Sequence, residues 1–218
     1  MKLFVIFLLI ISQVQNQEKQ EKAPKVPEVK MKHLTEFIEN ETNEKRRVYK
    51  SGRKMGAEIW DGNTKKYVKH GVFLRLHSNN SVREVCTWNY GSREGVFKTF
   101  NEKGNITKSG VYSKDQKTGE WLTYTKGRLS ARVDYVKNKK NGKSTRYNLY
   151  VKKHNQPQFV VEYKNGRKHG LSEQFDDKER RVAWGPYVEG KRHGTWHEIG
   201  FSGKVRAVQW VNGKLQKK

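Results

Sequence analysis

The chain has 218 residues, 33% of them hydrophobic, a single cysteine and a formal net charge of +24. That length and apolar content admit one core or an array of small repeats and exclude several large globular units. One cysteine excludes an internal disulfide, and so large a positive balance directs attention to anionic partners.

In chain order, MKLFVIFLLIISQVQNQ opens with one lysine and an unbroken apolar run from Leu3 to Ile11 before a glutamine-rich polar segment. The run is far shorter than the roughly 20 residues of a membrane-spanning helix and has the pattern of a signal peptide. The expectation is a signal over residues 1–16, cleaved near Asn16, and a chain that is secreted or held in the secretory-pathway lumen. Residues 17–47 carry eight basic and seven acidic residues and read as a charged disordered linker, in which Met31, Leu34 and Ile38 have the spacing of a short amphipathic helix. Beyond position 47 stand 37 basic and 15 acidic residues, so nearly all of the excess charge belongs to the part expected to fold. Cys86 is read as a small buried apolar residue. The sequons at Asn40 (NET), Asn79 (NNS) and Asn105 (NIT) are glycosylation candidates if the chain enters a eukaryotic secretory pathway.

Over residues 48–218 a phrase recurs: YKSGRKMG at 49–56, YKNGRKHG at 163–170 and YVEGKRHG at 187–194. Aligned on its closing glycine, the chain gives Gly71, Gly95, Gly119, Gly142, Gly170 and Gly194, at steps of 24, 24, 23, 28 and 24. A fixed period of this size marks a repeat array. Seven residues before the glycine stand Trp88, Tyr112, Tyr135, Tyr163 and Tyr187, and two after it stand Phe73, Phe97, Trp121, Ser144, Ser172 and Trp196. Aromatic and β-branched residues at such spacings favour strands, and NEKG, TKG and FSGK favour tight turns. Each unit therefore reads as two strands and a basic connecting turn, with Trp121 and Trp196 in an aromatic core ladder. One hairpin cannot bury its apolar face alone, whereas stacked hairpins can. The expected fold is all-β: an elongated array of stacked β-hairpin repeats with a period of about 24 residues, forming a single twisted antiparallel sheet or solenoid. YKSGRKMG ends only 15 residues before Gly71, so it is either a shortened hairpin or an N-terminal cap. The long step contains NLYVKKHNQPQ, where Pro157 points to a looped-out insertion.

Units such as YVEGKRHGTWHEI, YKNGRKHGLSEQF and YSKDQKTGEWLTY resemble MORN repeats: an aromatic, a short polar turn ending in glycine, and an aromatic strand. The commonest form has a second glycine two positions later, where this chain has Phe73, Phe97, Trp121, Ser144, Ser172 and Trp196, so the resemblance is to the MORN-variant class. It implies protein assembly and, in some members, association with anionic lipid.

Aligned turns would set Lys50, Arg53, Lys54, Lys69, Arg93, Lys114, Lys117, Lys137, Lys139, Lys140, Lys164, Arg167, Lys168, Lys191 and Arg192 along one edge as an anion-binding ridge. There is no G-x-S-x-G, H-E-x-x-H, Walker loop, C-x-x-C or dinucleotide fingerprint, and no catalytic, cofactor or metal site is expected. His70, His169 and His193 share the position before the glycine but belong to different units, too far apart to share a metal. Asp176, Asp177 and Glu179 are expected as solvated turn residues. The reading is a secreted, non-enzymatic binding or scaffold module that docks on an acidic protein, a glycan or anionic lipid. The alternatives are a structural component of an extracellular coat or granule matrix that self-associates through sheet ends, and a secreted effector that binds nucleic acid.

Overall fold

The computed structural model describes residues 46–200 and 202–216, with side chains from Ser51 onward. The expected signal at 1–16, the linker up to residue 45, the short helix at 31–38 and the sequon at Asn40 lie outside the described residues. Arg46 and Arg47, placed in the linker from sequence, form the start of the first strand.

The fold is all-β, with no helix among the described residues. The chain divides into a unit ending at Gln116 and a unit beginning at Lys117. The first contains β1 (Arg46–Ser51), β2 (Lys54–Asp61), β3 (Lys66–Leu76), β4 (Val82–Asn89), β5 (Ser92–Phe100) and β6 (Ile106–Ser113). The second is built from β7 (Gln116–Thr125), β8 (Arg128–Val136), β9 (Lys139–Tyr147), β10 (Pro157–Lys164), β11 (Arg167–Phe175), β12 (Arg181–Val188), β13 (Lys191–Arg192), β14 (Gly194–Ile199), β15 (Val205–Val211) and β16 (Lys214–Leu215). Within each unit, strands pair antiparallel with their neighbours in sequence, except that the short β13 pairs only with β12, which continues on to β14, so the strand order is open and not closed into a barrel.

Side chains alternate between the two faces of a strand, and the pairing registers turn the sequence columns into lines across the sheet. In the first unit Gly56, Phe73, Cys86, Phe97 and Gly110 face one another in turn on β2 to β6. The Phe73 ring lies where a side chain at Gly56 would stand, so the glycine is a seat for the ring. Cys86 sits between the two phenylalanines, 2% exposed, as the sequence suggests, and burial pushes its thiol up to about 12. On the opposite face run Met55, Leu74, Val85, Lys98 and Ser109. Met55, Ala57 and Leu74 form an apolar cluster there, and Lys98 lies in the same line at 2% exposure.

In the second unit the corresponding line is Trp121, Val133, Ser144, Val161, Ser172, Gly185, Trp196 and Val208. Trp121 and Trp196 are buried, as the ladder requires. Trp196 lies over Gly185, donates its indole N–H to the Pro186 carbonyl at 2.9 Å, and meets Tyr187 edge to face at 5.2 Å. Serines at 144 and 172 keep the middle of this line thin, with valines of the neighbouring strands opposite them.

The closing glycine of the phrase is not in the turn. In YKNGRKHG the reversal is made at Asn165 and Gly166, and Gly170 lies inside β11 with φ +97°. There β11 carries extra residues against β10, a bulge that the register shift between Val161 and Tyr163 records. The Glu162 carboxylate folds over Gly170 and accepts the Leu171 amide at 3.0 Å. Asp134 does the same beside Gly142, accepting the Lys143 amide at 3.2 Å. At Gly142 and Gly170 the closing glycine is thus required twice, by its φ and by the acid that fills the space of its missing side chain.

The insertion expected before Pro157 is a loop over residues 148–156. It is held by the buried amides of Asn148 and Gln156, which bond Asp177 at 2.7 Å and the Asp176 carbonyl at 3.0 Å. Arg128 donates to the Leu149 and Lys153 carbonyls. The acids of the next turn are therefore structural: Asp176 caps its own turn, Asp177 anchors Asn148, and Glu179 pairs with Lys153 at 2.8 Å. Backbone hydrogen bonds from Arg180 hold the Asp176 carboxyl below its ordinary range.

Candidate functional site

The recurrent turns are tight reversals at Tyr90–Gly91 and Lys114–Asp115 in the first unit, and at Lys137–Asn138, Asn165–Gly166, Glu189–Gly190 and Asn212–Gly213 in the second. Both central residues of each have positive φ. This is the type I′ geometry, whose twist matches that of the flanking strands. Each turn is also tied to the previous repeat. The second central residue donates its amide to the carbonyl two positions before the preceding closing glycine: Gly91 to Lys69, Asp115 to Arg93, Asn138 to Lys117, Gly166 to Lys140, Gly190 to Lys168 and Gly213 to Arg192, at 2.8 to 3.0 Å. These rungs stack the turns within each unit.

The same residues carry a column of cations over aromatics. Lys69 lies 4.2 Å from the centre of the Trp88 ring and Arg93 4.1 Å from Tyr112. In the second unit Lys117 lies 5.2 Å from Tyr135, Lys140 4.8 Å from Tyr163, Lys168 4.8 Å from Tyr187, and Arg192 5.0 Å from Trp210. Lys117 also covers Trp121 on its own strand, and Arg192 on β13 covers Trp196 on β14. The aromatic partner across the hairpin is in each case the residue seven before the next closing glycine, or Trp210 in the equivalent place. Such contacts contribute about 0.5 to 1 kcal/mol when exposed and about 2 when desolvated.

The ridge expected from sequence accordingly separates into three groups. Lys69, Arg93, Lys117, Lys140, Lys168 and Arg192 are half-buried members of the aromatic columns. Lys114, Lys137, Lys139, Lys164, Arg167 and Lys191 are exposed on the turns themselves. Lys50, Arg53 and Lys54 do not belong with them. Their turn, at Gly52–Arg53, lies at the other end of the first unit's strands, where the Arg53 carbonyl accepts the Leu76 amide at 2.9 Å beside the His77–Ser81 reversal. A single hairpin, with its turn at Gly62, separates this phrase from the others, and one hairpin reverses the direction of the chain. YKSGRKMG is thus a shortened hairpin facing the opposite way.

The first unit also offsets its cations with acid. Arg93 pairs with Asp115 at 2.9 Å, and this hydrogen bond holds the Asp115 carboxyl below its ordinary range. Glu94 accepts the Lys114 amide at 2.7 Å and the Ser113 hydroxyl at 3.1 Å.

In the second unit the two strand residues closing each turn face each other as pairs: Val136 with Lys139, Lys164 with Arg167, Val188 with Lys191, and Val211 with Lys214. All eight are exposed. The turns are in direct contact along the row: the position of a side chain at Gly166 lies 3.9 Å from the Lys139 Cβ, and that at Gly213 lies 3.5 Å from the Lys191 Cβ. Glu189 is the one acid on these turns and pairs with Arg167 at 2.9 Å. Lys214 and the three valines went unnoticed in the sequence reading, although WVNGK aligns with YVEGK and puts Lys214 in the position of Lys191.

The histidines before the closing glycines serve the stacking. His70 and His193 each accept the amide of the following turn, at 3.5 Å from Tyr90 and from Asn212, and His169 stands 3.6 Å from Glu189. Among the described residues no cluster of His, Cys, Asp or Glu could hold a metal ion. Asn79 is exposed but folded into its own turn, its side-chain oxygen accepting the Ser81 amide at 3.0 Å and hydroxyl at 2.7 Å. Asn105 is half-buried at the mouth of β6, next to the buried Ile106. Among the described residues no helix is long and apolar enough to cross a membrane.

No protein-family model and no curated protein matches the chain. Among solved structures it has a weak likeness to a mutant of S. aureus TarM in complex with fondaparinux, α-GlcNAc-glycerol and UDP. That match has 14% identity and a TM-score of 0.23, over 86% of this chain and 27% of that one. A second TarM crystal structure matches at 12% identity and a TM-score of 0.19, over 81% of this chain and 26% of that one. The chain thus spans about a quarter of their length, and likenesses this weak carry no argument about activity.

Proposed function

We propose that the chain is a secreted, non-enzymatic binding or scaffold module that docks through its basic turn edge on an anionic partner. Its partner class is an acidic protein, a glycan or an anionic lipid. The observation that carries this reading is the surplus of cations on the second unit's turns. After Lys117, Lys140, Lys168 and Arg192 have been taken into aromatic columns, Lys137, Lys139, Lys164 and Lys191 remain exposed and make no ion pair among the described residues. The repeated columns also support the MORN-variant resemblance, which implies a role in assembly rather than in catalysis. Binding of the full chain to sulfated polysaccharide and to phosphatidylcholine vesicles containing phosphatidylserine, each against a neutral counterpart, tests the reading. Affinity for an anionic probe falls steeply between 0.1 and 1 M salt as the Debye length contracts from about 10 to about 3 Å. No binding to any anionic probe at low salt overturns it.

Assembly through sheet ends has one observation in its favour. β16 pairs only with Trp210 and Val211, which leaves most of β15 as an edge among the described residues. Sedimentation of the chain with and without residues 210–218 tests this reading: a change in oligomeric state on deletion supports it, and a monomer in both cases removes it.

A further inference from the structure

The second unit's edge has more order than a positive charge requires. Its four turns present the pairs Val136–Lys139, Lys164–Arg167, Val188–Lys191 and Val211–Lys214, each one hairpin from the next. Two strands at about 4.8 Å each set a repeat of about 9.6 Å, so the cations at 139, 167, 191 and 214 form a row about 29 Å long, following the twist of the sheet. Val136, Val188 and Val211 lie beside the row at 49%, 41% and 47% exposure.

We propose that this edge is a binding groove for one segment of a linear acidic polysaccharide, its sulfate or carboxylate groups on the row of cations and the C–H faces of its sugar rings on the valines. The proposal rests on the anionic-partner reading and names the partner. Apart from Lys137 on the first turn and Lys164 in the valine column, the exposed cations of these turns lie in one row, which suits a chain whose charges repeat along one axis. A membrane plane would leave its charges on either side of the row unmatched. Single-stranded nucleic acid is bound by stacking its bases on open aromatic faces, and here the aromatics nearest the row, Tyr135, Tyr163, Tyr187 and Trp210, are covered by Lys117, Lys140, Lys168 and Arg192. Alternating apolar and charged contacts at a fixed repeat fit a polymer of charged rings.

The test compares two variants of the full chain with the same change in net charge. One removes the row, as Lys139→Gln, Arg167→Gln, Lys191→Gln and Lys214→Gln. The other removes four exposed cations from the opposite strand ends of the same unit, as Lys126→Gln, Lys152→Gln, Lys178→Gln and Lys204→Gln. The probes are heparin fragments of increasing length, a chemically desulfated heparin, a single-stranded oligonucleotide and the phosphatidylserine vesicles. The row variant loses about ten-fold or more in affinity for heparin, and its slope of log affinity against log salt becomes shallower because fewer counterions are released. The matched variant stays near the parent, and the parent's affinity rises with fragment length until the fragment spans the row. Equal losses in the two variants overturn the proposal, since the protein would then be responding only to its overall field. Binding to vesicles or oligonucleotide without binding to heparin overturns it while leaving the anionic-partner reading standing, and loss of all anion binding removes both. If the fourfold row variant melts below the parent, Lys139→Gln with Lys191→Gln decides the same question, with a smaller loss expected from the same row.

Discussion

The two units share one repeat and use it differently. In the first, the turn cations are answered by acids, with Asp115 on Arg93 and Glu94 against the Lys114 turn, while the interior takes in a buried lysine and a buried cysteine. In the second, the interior line runs on tryptophan, serine, valine and glycine, and the turns carry a cationic row with one acid on it. What the units hold in common is every position that touches the next repeat: the rung amides, the cation over the aromatic, and the bulge glycine where it occurs. They diverge at the positions closing the turns, which are exposed and meet the next repeat only at the edge, through the Cβ atoms of Lys139 and Lys191 and the Arg167–Glu189 pair. In an array whose stability is a sum of neighbour contacts, only those free positions can change without disturbing the stack.

The largest effect that would break this comparison is loss of a ladder aromatic. Trp196→Ala removes a buried ring that fills the seat over Gly185, and is expected to cost about 3 to 5 kcal/mol by denaturant unfolding. A cost close to that of an exposed substitution would show that the second unit does not depend on its tryptophans.

Next comes the buried lysine, a feature of the first unit alone. Burial pushes Lys98 from its ordinary 10.5 down to about 8. Between those values the unfolded chain holds more protons than the folded one, so stability rises with pH. The penalty of the buried cation is full below about pH 8 and gone above about pH 10.5, about 3 kcal/mol over the range. Cys86 acts in the opposite sense. Its folded value is raised from 9.0 to about 12, so the stability it contributes below pH 9 is lost progressively above it. The window between pH 8 and 9 therefore isolates Lys98, and Lys98→Met should flatten the rise there in pH-dependent melting curves. A parent whose stability is already flat over that window contradicts the burial of a charged amine.

A smaller effect is expected at the bulge. Gly170→Ala meets both a positive φ and the Glu162 carboxylate, and should cost about 1 to 3 kcal/mol. Gly170→Ala combined with Glu162→Ala should recover the part of that cost due to the carboxylate, which a double-mutant cycle measures. The smallest effect sharpens the contrast at the edge: Glu189→Gln releases Arg167 from its pair and should raise heparin affinity a few-fold with no change in melting temperature, since an exposed ion pair contributes about 0 to 1 kcal/mol.

Much of this was legible in the sequence. The 24-residue period, the hairpins, the buried Trp121, Trp196 and Cys86, and the loop before Pro157 follow from local spacing, because each repeat contacts only its neighbours and the chain order is also the strand order. The ridge was legible only in part. Sequence placed fifteen cations in one class, whereas strand direction sends Lys50, Arg53 and Lys54 to the other end of the first unit. Counting hairpins across the short interval before Gly71 would have detected this.

By itself, then, the sequence determined an all-β repeat and its columns, since alternation and turn chemistry act over a few residues. The tertiary structure decided what each lysine or arginine does. Residues two before the glycine reach an aromatic some 18 to 23 positions further on, across a hairpin, and become part of the stack. Those closing the turn face their own partner and solvent, with Arg167 also reaching Glu189 of the next turn. The two kinds are adjacent in the chain, as Arg167 beside Lys168 makes plainest, and the bulge at Gly170 and the pairing of the next strand assign one to the stack and the other to the surface.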